Sequence, residues 1–249
     1  MANGFDPRLG AGPTSATTLG RDSVAVDAGL RSYMLSVYNY MASGVLLTGI
    51  VALLFARSGA VLSLFDLTTG RMNGLGWIVM LAPLAIVMIM SFGINRLSTG
   101  AAQALYWVYA TVMGLSLSTI FLVYTGGSIA VTFFATAAAF LSLSLWGYTT
   151  KRDLSGFGTF FLMGLVGLIV AMLINAFLPS GPMTLAISAI GVLLFAGLTA
   201  YDTQKIKSMY YYVGGTEFAG KSAIMGALKL YLDFINLFLF LLRFMGDRR

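Results

Sequence analysis

Two carboxyls stand where a carboxyl is expensive. Asp202 interrupts the apolar stretch Leu198-Thr199-Ala200-Tyr201-Asp202-Thr203-Gln204, and Asp233 interrupts Leu230-Tyr231-Leu232-Asp233-Phe234-Ile235-Asn236. The other acids, Asp6, Asp22, Asp27, Asp66, Asp153, Glu217 and Asp247, fall in polar stretches. An ionisable group inside a membrane helix is costly and points to a function by default. If the last two hydrophobic helices form a hairpin turning around residues 212–224, Asp202 lies about nine residues before the turn and Asp233 about nine after it. At 1.5 Å per residue, both then sit roughly 13 Å deep, at matching heights. Two facing carboxylates in a low dielectric cannot both ionise cheaply, so such a pair should share a proton. Deprotonated, Asp202 and Asp233 offer oxygen ligands to a hard metal cation such as Ca²⁺. Singly protonated, they can lock two helices with a hydrogen bond.

The basic neighbours permit a second reading. Lys205 is three residues after Asp202 and Lys229 four before Asp233, so each acid has a cation on its own helix face. Two local ion pairs snorkelling to the membrane surface would account for the same residues without a shared site. Lys229, Lys205 and Asn236 are therefore candidate modulators of the pair. Arg96, after Asn95 at the end of the second hydrophobic segment, is either a topological anchor or a latch that reaches inward to a carboxylate.

Composition limits the chemistry further. Of 249 residues, 58% are hydrophobic and 10% charged, against roughly 25% charged in a soluble domain. Lipid can serve as solvent for the excess apolar area. Cysteine and histidine are absent, which excludes disulfides, thiol nucleophiles, zinc sites and a Ser-His-Asp triad. Proton sensing near neutral pH must then fall to carboxyls. The net charge of +6 is dispersed, without the basic run and interleaved aromatics that grip phosphate, so no nucleic-acid partner is expected.

Seven apolar segments must position these groups: about 33–56, 75–94, 103–124, 127–148, 157–178, 183–211 and 223–244. Each can cross a hydrocarbon core of ~30 Å as a helix. The short links carry turn residues, Gly126-Gly127, Asp153-Leu154-Ser155-Gly156 and Pro179-Ser180-Gly181-Pro182. The reading is an all-α polytopic membrane protein: residues 1–30 as a disordered cytosolic tail and 31–249 as a seven-helix transmembrane domain. With the N-terminus cytoplasmic, Arg8, Arg21, Arg31, Arg96, Lys151, Arg152, Lys205, Lys207 and Lys221 lie inside, whereas only Arg57 and Arg71 lie in outer loops before the seventh segment. Arg243, Arg248 and Arg249 fall outside if the seventh segment crosses fully, and inside if it is re-entrant. The expected location is the plasma (bacterial inner) membrane.

The segments Tyr201-Asp202-Thr203-Gln204 and Leu228-Lys229-Leu230-Tyr231-Leu232-Asp233-Phe234-Ile235-Asn236-Leu237-Phe238 closely resemble the last two helices of the Bax inhibitor-1 (transmembrane Bax inhibitor motif) family, in the style of a bacterial member. Tyr38-Asn39-Tyr40-Met41, Gly114-Leu115-Ser116-Leu117-Ser118 and Lys151-Arg152-Asp153-Leu154 agree with it, and the match covers about 31–246. The resemblance implies seven transmembrane helices with the last helix central. It implies a pH-sensitive calcium (cation) leak in which Asp202 and Asp233 form the sensing pair and Arg96 the latch. Calcium would be the permeant ion, with no tightly bound cofactor. Two departures stand out: no acid lies within Leu81–Ile94, and Lys229 occupies a place where a neutral residue is expected.

A different class of function is a membrane-embedded interaction protein without transport, since bacterial relatives are associated with a membrane-bound, ATP-dependent protease complex. Ion flux in pure liposomes separates the two. An intramembrane aspartyl protease is disfavoured, because bulky Leu230, Tyr231 and Leu232 precede Asp233 where that class has glycines. The chain is expected not to be an enzyme.

Overall fold

Backbone amides and carbonyls at bilayer depth have no water to bond, so a spanning segment must close its hydrogen bonds internally. Each of the seven apolar segments is accordingly helical in the computed structural model, which describes residues 14–66 and 68–249, with side chains from residue 26 onward. The helices are α1 (Thr14–Arg57), α2 (Gly74–Gly93), α3 (Thr99–Leu117), α4 (Ile120–Val123), α5 (Gly126–Thr149), α6 (Gly158–Phe177), α7 (Gly181–Val213) and α8 (Phe218–Met245). α3 and α4 together make one crossing, Thr99–Val123, so seven helical spans are long and apolar enough to cross a membrane among the described residues. Their starts are locally encoded. The side chains of Asn73, Ser98 and Thr125 cap α2, α3 and α5 by accepting from the backbone amides of Gly76, Ala101 and Ser128.

The first helix departs from expectation. It begins at Thr14 and not near residue 31, so much of the expected tail is helical; residues 1–13 lie outside the described residues. Thr14–Leu30 contains no proline, and adding residues to an existing helix is far easier than nucleating one. Burial begins at Leu30, which is 5% exposed. The boundary near 30 thus marks where packing starts, not where the helix starts.

α8 occupies the centre. Two thirds of its most apolar stretch is buried (67%), against 6% for the span containing α6. It packs against α7, α1, α5 and α3, whereas α6 leans on α7 and α2 chiefly on α3. Aromatic side chains fill the contacts. The Tyr231 ring meets Tyr109 and Tyr106 edge-on at 5.2 and 6.4 Å, and Phe234 meets Phe133 and Phe140 at 5.6 Å each. One hydroxyl chain crosses the same centre. Thr48 Oγ1 donates to the Ala110 carbonyl (2.7 Å), so the Tyr231 hydroxyl must donate to Thr48 (2.7 Å), tying α8 to α1 and α3.

The two ends of α8 settle whether it crosses. Near its start, a Cβ on Gly220 would come within 3.1 Å of Thr99 Cγ2, at the start of α3. Beyond its end, residues 247–249 pair with the turn between α4 and α5: Thr125 N donates to Asp247 O (3.1 Å), Arg249 N to Val123 O (3.0 Å) and Asp247 N to Ser128 Oγ (2.9 Å). The starts of α3 and α5 lie at opposite ends of the bundle, so α8 traverses it and the re-entrant alternative falls. Arg248 lies over the Tyr124 ring at 6.0 Å.

Because the chain has no cysteine, single cysteines report topology cleanly. A membrane-impermeant maleimide applied to intact cells is expected to label Asp247→Cys and not Lys221→Cys, with the reverse in inverted vesicles. Labelling of both from one face would refute a full crossing by α8.

Candidate functional site

The hairpin of α7 and α8 sets the height of every charge in the site. α7 runs on to Val213 and α8 starts at Phe218, so the turn is tighter than the one expected at 212–224. Asp202 is then eleven residues from the end of α7 and Lys229 eleven from the start of α8. Both lie roughly 16 Å from the turn at 1.5 Å per residue. The residue level with Asp202 is therefore Lys229, with Asp233 one helical turn deeper.

That register produces an ion pair neither sequence reading contained. Lys229 Nζ lies 2.7 Å from Asp202 Oδ1, across the two helices. It is the one ion pair among the described residues. The local pairs Asp202–Lys205 and Lys229–Asp233 do not form. Lys205 instead lies over the Tyr201 ring at 5.8 Å, and Lys229 approaches the same ring at 5.8 Å. The partners differ in environment: Asp202 is 2% exposed at its side chain and Lys229 43%. Asp202 Oδ1 receives no hydrogen bond of good angle, so the ammonium is its chief stabilising contact.

Asp202 and Asp233 are brought together, both buried and both lining one space. Asp233 is 4% exposed, and its Oδ2 is buried without a partner. Asn236 lines the same space, its amide donating to the Leu232 carbonyl of its own helix at 2.8 Å. These groups face a cleft of about 660 Å³ between α6, α7 and α8, which runs from Lys205 past the two carboxyls to Arg243. Its remaining walls are apolar, with Phe161, Leu165, Phe195 and Phe240 among them. The geometry can hold a cation on carboxylate oxygens, or a shared proton, next to a tethered ammonium that competes for the same charge.

Arg96 is elsewhere. It stands exposed in the turn after α2 and makes no ion pair among the described residues. The physical reason is depth: Arg96 is three residues before Thr99, which sits against the first turn of α8, while Asp202 lies level with Lys229, about 16 Å further in. In this conformation the cation on Asp202 comes from α8 and not from α2.

Sequence reasoning missed two supporting devices. Thr203 Oγ1 donates to the Thr199 carbonyl (2.7 Å), so Ser144 must donate to Thr203 (2.8 Å) and Tyr38 to Ser144 (2.7 Å). This ordered chain binds α1 and α5 to α7 one residue from Asp202. Gly147 makes it feasible: a Cβ there would run into the Ala200 backbone, so only glycine lets α5 approach α7 so closely. The second device is Gln204, whose side chain accepts from Leu154 N and donates to the Arg152 carbonyl, both at 2.8 Å, clamping the α5–α6 loop. In that loop, hydrogen bonds from Ser155 hold the exposed Asp153 carboxyl below its ordinary range. Both motifs were visible as Tyr-Asp-Thr-Gln and Lys-Arg-Asp-Leu, but their mutual contact was not.

Comparison with known proteins adds the following. A family model described as "Inhibitor of apoptosis-promoting Bax1" matches residues 30–249. The chain is 50% identical over 236 residues to uncharacterized protein RP147 of Rickettsia prowazekii, spanning 95% of this chain and 98% of that one. It is 50% identical over 224 residues to inner membrane protein YbhL of Escherichia coli, spanning 89% and 94%. A Borreliella burgdorferi protein is 39% identical over 219 residues, spanning 87% and 92%.

The cross-helix pair has a measurable signature. In a double-mutant cycle on detergent-solubilised protein, Asp202→Asn and Lys229→Met should couple by about 0.5–3 kcal/mol, towards the lower end because Lys229 is half exposed. Asp233→Asn and Lys229→Met should couple less. A larger coupling to Asp233 than to Asp202 would favour the local pair over the observed one.

Proposed function

The chain is a multi-pass inner-membrane protein of the Bax inhibitor-1 family, and on that premise we propose that it is a pH-sensitive cation leak, with calcium as a permeant ion, gated by protonation at Asp202 and Asp233. The observation that carries this reading is the buried Asp202–Asp233 pair facing a cleft at bilayer depth, held by a single ammonium. Calcium prefers oxygen ligands, and once Asp202 is protonated and Lys229 released, the Asp233 carboxylate and the carbonyl oxygens of Asp202 and Asn236 supply them along one wall. Lys229 already neutralises Asp202, so a cation can use these oxygens only when the ammonium withdraws.

The sign of the pH response follows from the ion pair. While Asp202 is ionised it holds Lys229 and thereby joins α7 to α8. Acidification protonates the carboxylate, and the pair loses its charge attraction. Leak therefore rises as pH falls. Lys229 acts as a tethered blocking cation, the role that family resemblance assigned to Arg96. Neither aspartate activates a substrate in this scheme, and no enzymatic step is proposed.

Calcium flux into liposomes containing only this protein, followed against pH, tests the scheme. Wild type should leak more at acidic than at neutral pH. Asp202→Asn, which mimics the protonated acid, should leak at all pH values with little pH dependence. Lys229→Ser should raise the leak at neutral pH and move its midpoint upward, because removing a cation disfavours the ionised acid. Arg96→Ala should match wild type. Flux that is absent in wild type at every pH would return the chain to the other class, an interaction protein that regulates a membrane-bound protease without transport. A leak whose pH profile is unchanged in Asp202→Asn would remove the aspartates from gating.

A further inference from the structure

A second cavity, larger than the aspartate cleft, lies on another face of α8. α1 and α5 both pack on α8 and leave between them a groove of about 1000 Å³ with Phe234 in its floor. That volume is at the top of the range for pockets that bury most of a small ligand. The groove extends from Phe133 to Tyr148 along α5, about 22 Å at 1.5 Å per residue, longer than half of a ~30 Å hydrocarbon core.

Its walls make almost no demand for polar contact. Leu35, Leu46, Leu141 and Leu145 line it while more than half exposed. The two interior hydroxyls, Tyr38 and Ser144, are already committed to the chain that ends on Thr203. Short of the Tyr148 hydroxyl at the end of this length, water or a polar solute would find no unmatched side-chain partner, whereas hydrocarbon loses nothing there. Charge appears at one end alone: Asp27 and Arg31, one helical turn apart on α1, with Arg31 the deeper. They share a face yet form no ion pair with each other or with any other described residue, so the groove's end presents a carboxylate and a guanidinium stacked about 6 Å apart along the axis.

We infer that the α1–α5 groove binds a phosphatidylethanolamine-type phospholipid: an acyl chain along the groove, the phosphate on Arg31 and the ammonium on Asp27. The order of charges supports this occupant. In such a headgroup the phosphate is nearer the hydrocarbon and the ammonium nearer water, matching a guanidinium below a carboxylate. A guanidinium pairs well with phosphate, and a primary ammonium can donate to a carboxylate where a trimethylated one cannot. The lipid would come from the leaflet on the side of the α7–α8 turn. This site is independent of the leak: it uses none of the residues assigned to gating.

Native mass spectrometry of the purified full-length protein, exposed in turn to phosphatidylethanolamine, phosphatidylglycerol and phosphatidylcholine, tests the inference. Wild type should retain one phosphatidylethanolamine in preference to the other two. Arg31→Gln should weaken retention of all three about tenfold, the loss of one charge-assisted contact. Asp27→Asn should abolish the preference for phosphatidylethanolamine while leaving binding. Ala137→Trp, which fills the groove from α5, should remove the bound lipid at unchanged helicity; Ala42→Phe does the same from α1 should the first variant fail to fold. A wild-type preference for phosphatidylglycerol or phosphatidylcholine, or retention unaffected by either filling variant, would overturn the assignment.

Discussion

Burying the Asp202 carboxylate is the constraint around which the bundle is arranged. An ionised carboxylate almost removed from solvent is stable only with a counter-charge close by, and removing one partner of such a pair costs far more than removing both. Lys229 supplies the charge from the next helix, and it does so with a long stem that leaves nearly half of its side chain exposed. The bundle thus holds a fixed acid and a retractable base. A pair built of two short, fully buried groups would be a permanent strut, whereas this one can be undone by a single proton.

The packing around α8 serves the same end. Tyr231, Phe234 and Phe240 wedge α8 among α3, α5 and α7 through ring contacts, so its carboxyl and ammonium are held at defined heights. Two hydroxyl chains, Tyr231–Thr48–Ala110 and Tyr38–Ser144–Thr203–Thr199, stitch the neighbouring helices at bilayer depth. Lipid offers such hydroxyls no alternative partners, so the bonds have directions that the sequence of donors forces. α6 is different: it leans on α7, and its span is the least buried of the seven. It forms one wall of the aspartate cleft, which places the site's most weakly held element beside its charges.

The α1–α5 groove and the α6–α7–α8 cleft both lie against α8, on which α7, α1, α5 and α3 pack while α6 leans on α7 and α2 chiefly on α3. Where neighbouring helices do not close on one another, as between α1 and α5, the gaps inherit whatever side chains face them. Around Asp202 the gap is lined with charges. Beside Phe234 it is lined with leucine and methionine and is charged only at its mouth. Phe234 follows Asp233 directly in the chain, so α8 presents a carboxyl to one gap and a ring to the other.

Much of this was legible from residue types alone. Apolar runs long enough to span a bilayer identify seven helices, because backbone hydrogen bonding in lipid permits little else. Two acids within such runs identify the site, because charge there is expensive. Which cation answers Asp202 was not legible. On one helix face Lys205 is the neighbour, and by family resemblance Arg96 is the partner, yet Lys229 makes the contact. That outcome depends on a turn of a few residues between Val213 and Phe218, which sets the register of α7 against α8, and on the depth that keeps Arg96 at the surface. Periodicity describes what shares a face within a helix; only the packed bundle decides what meets across two of them.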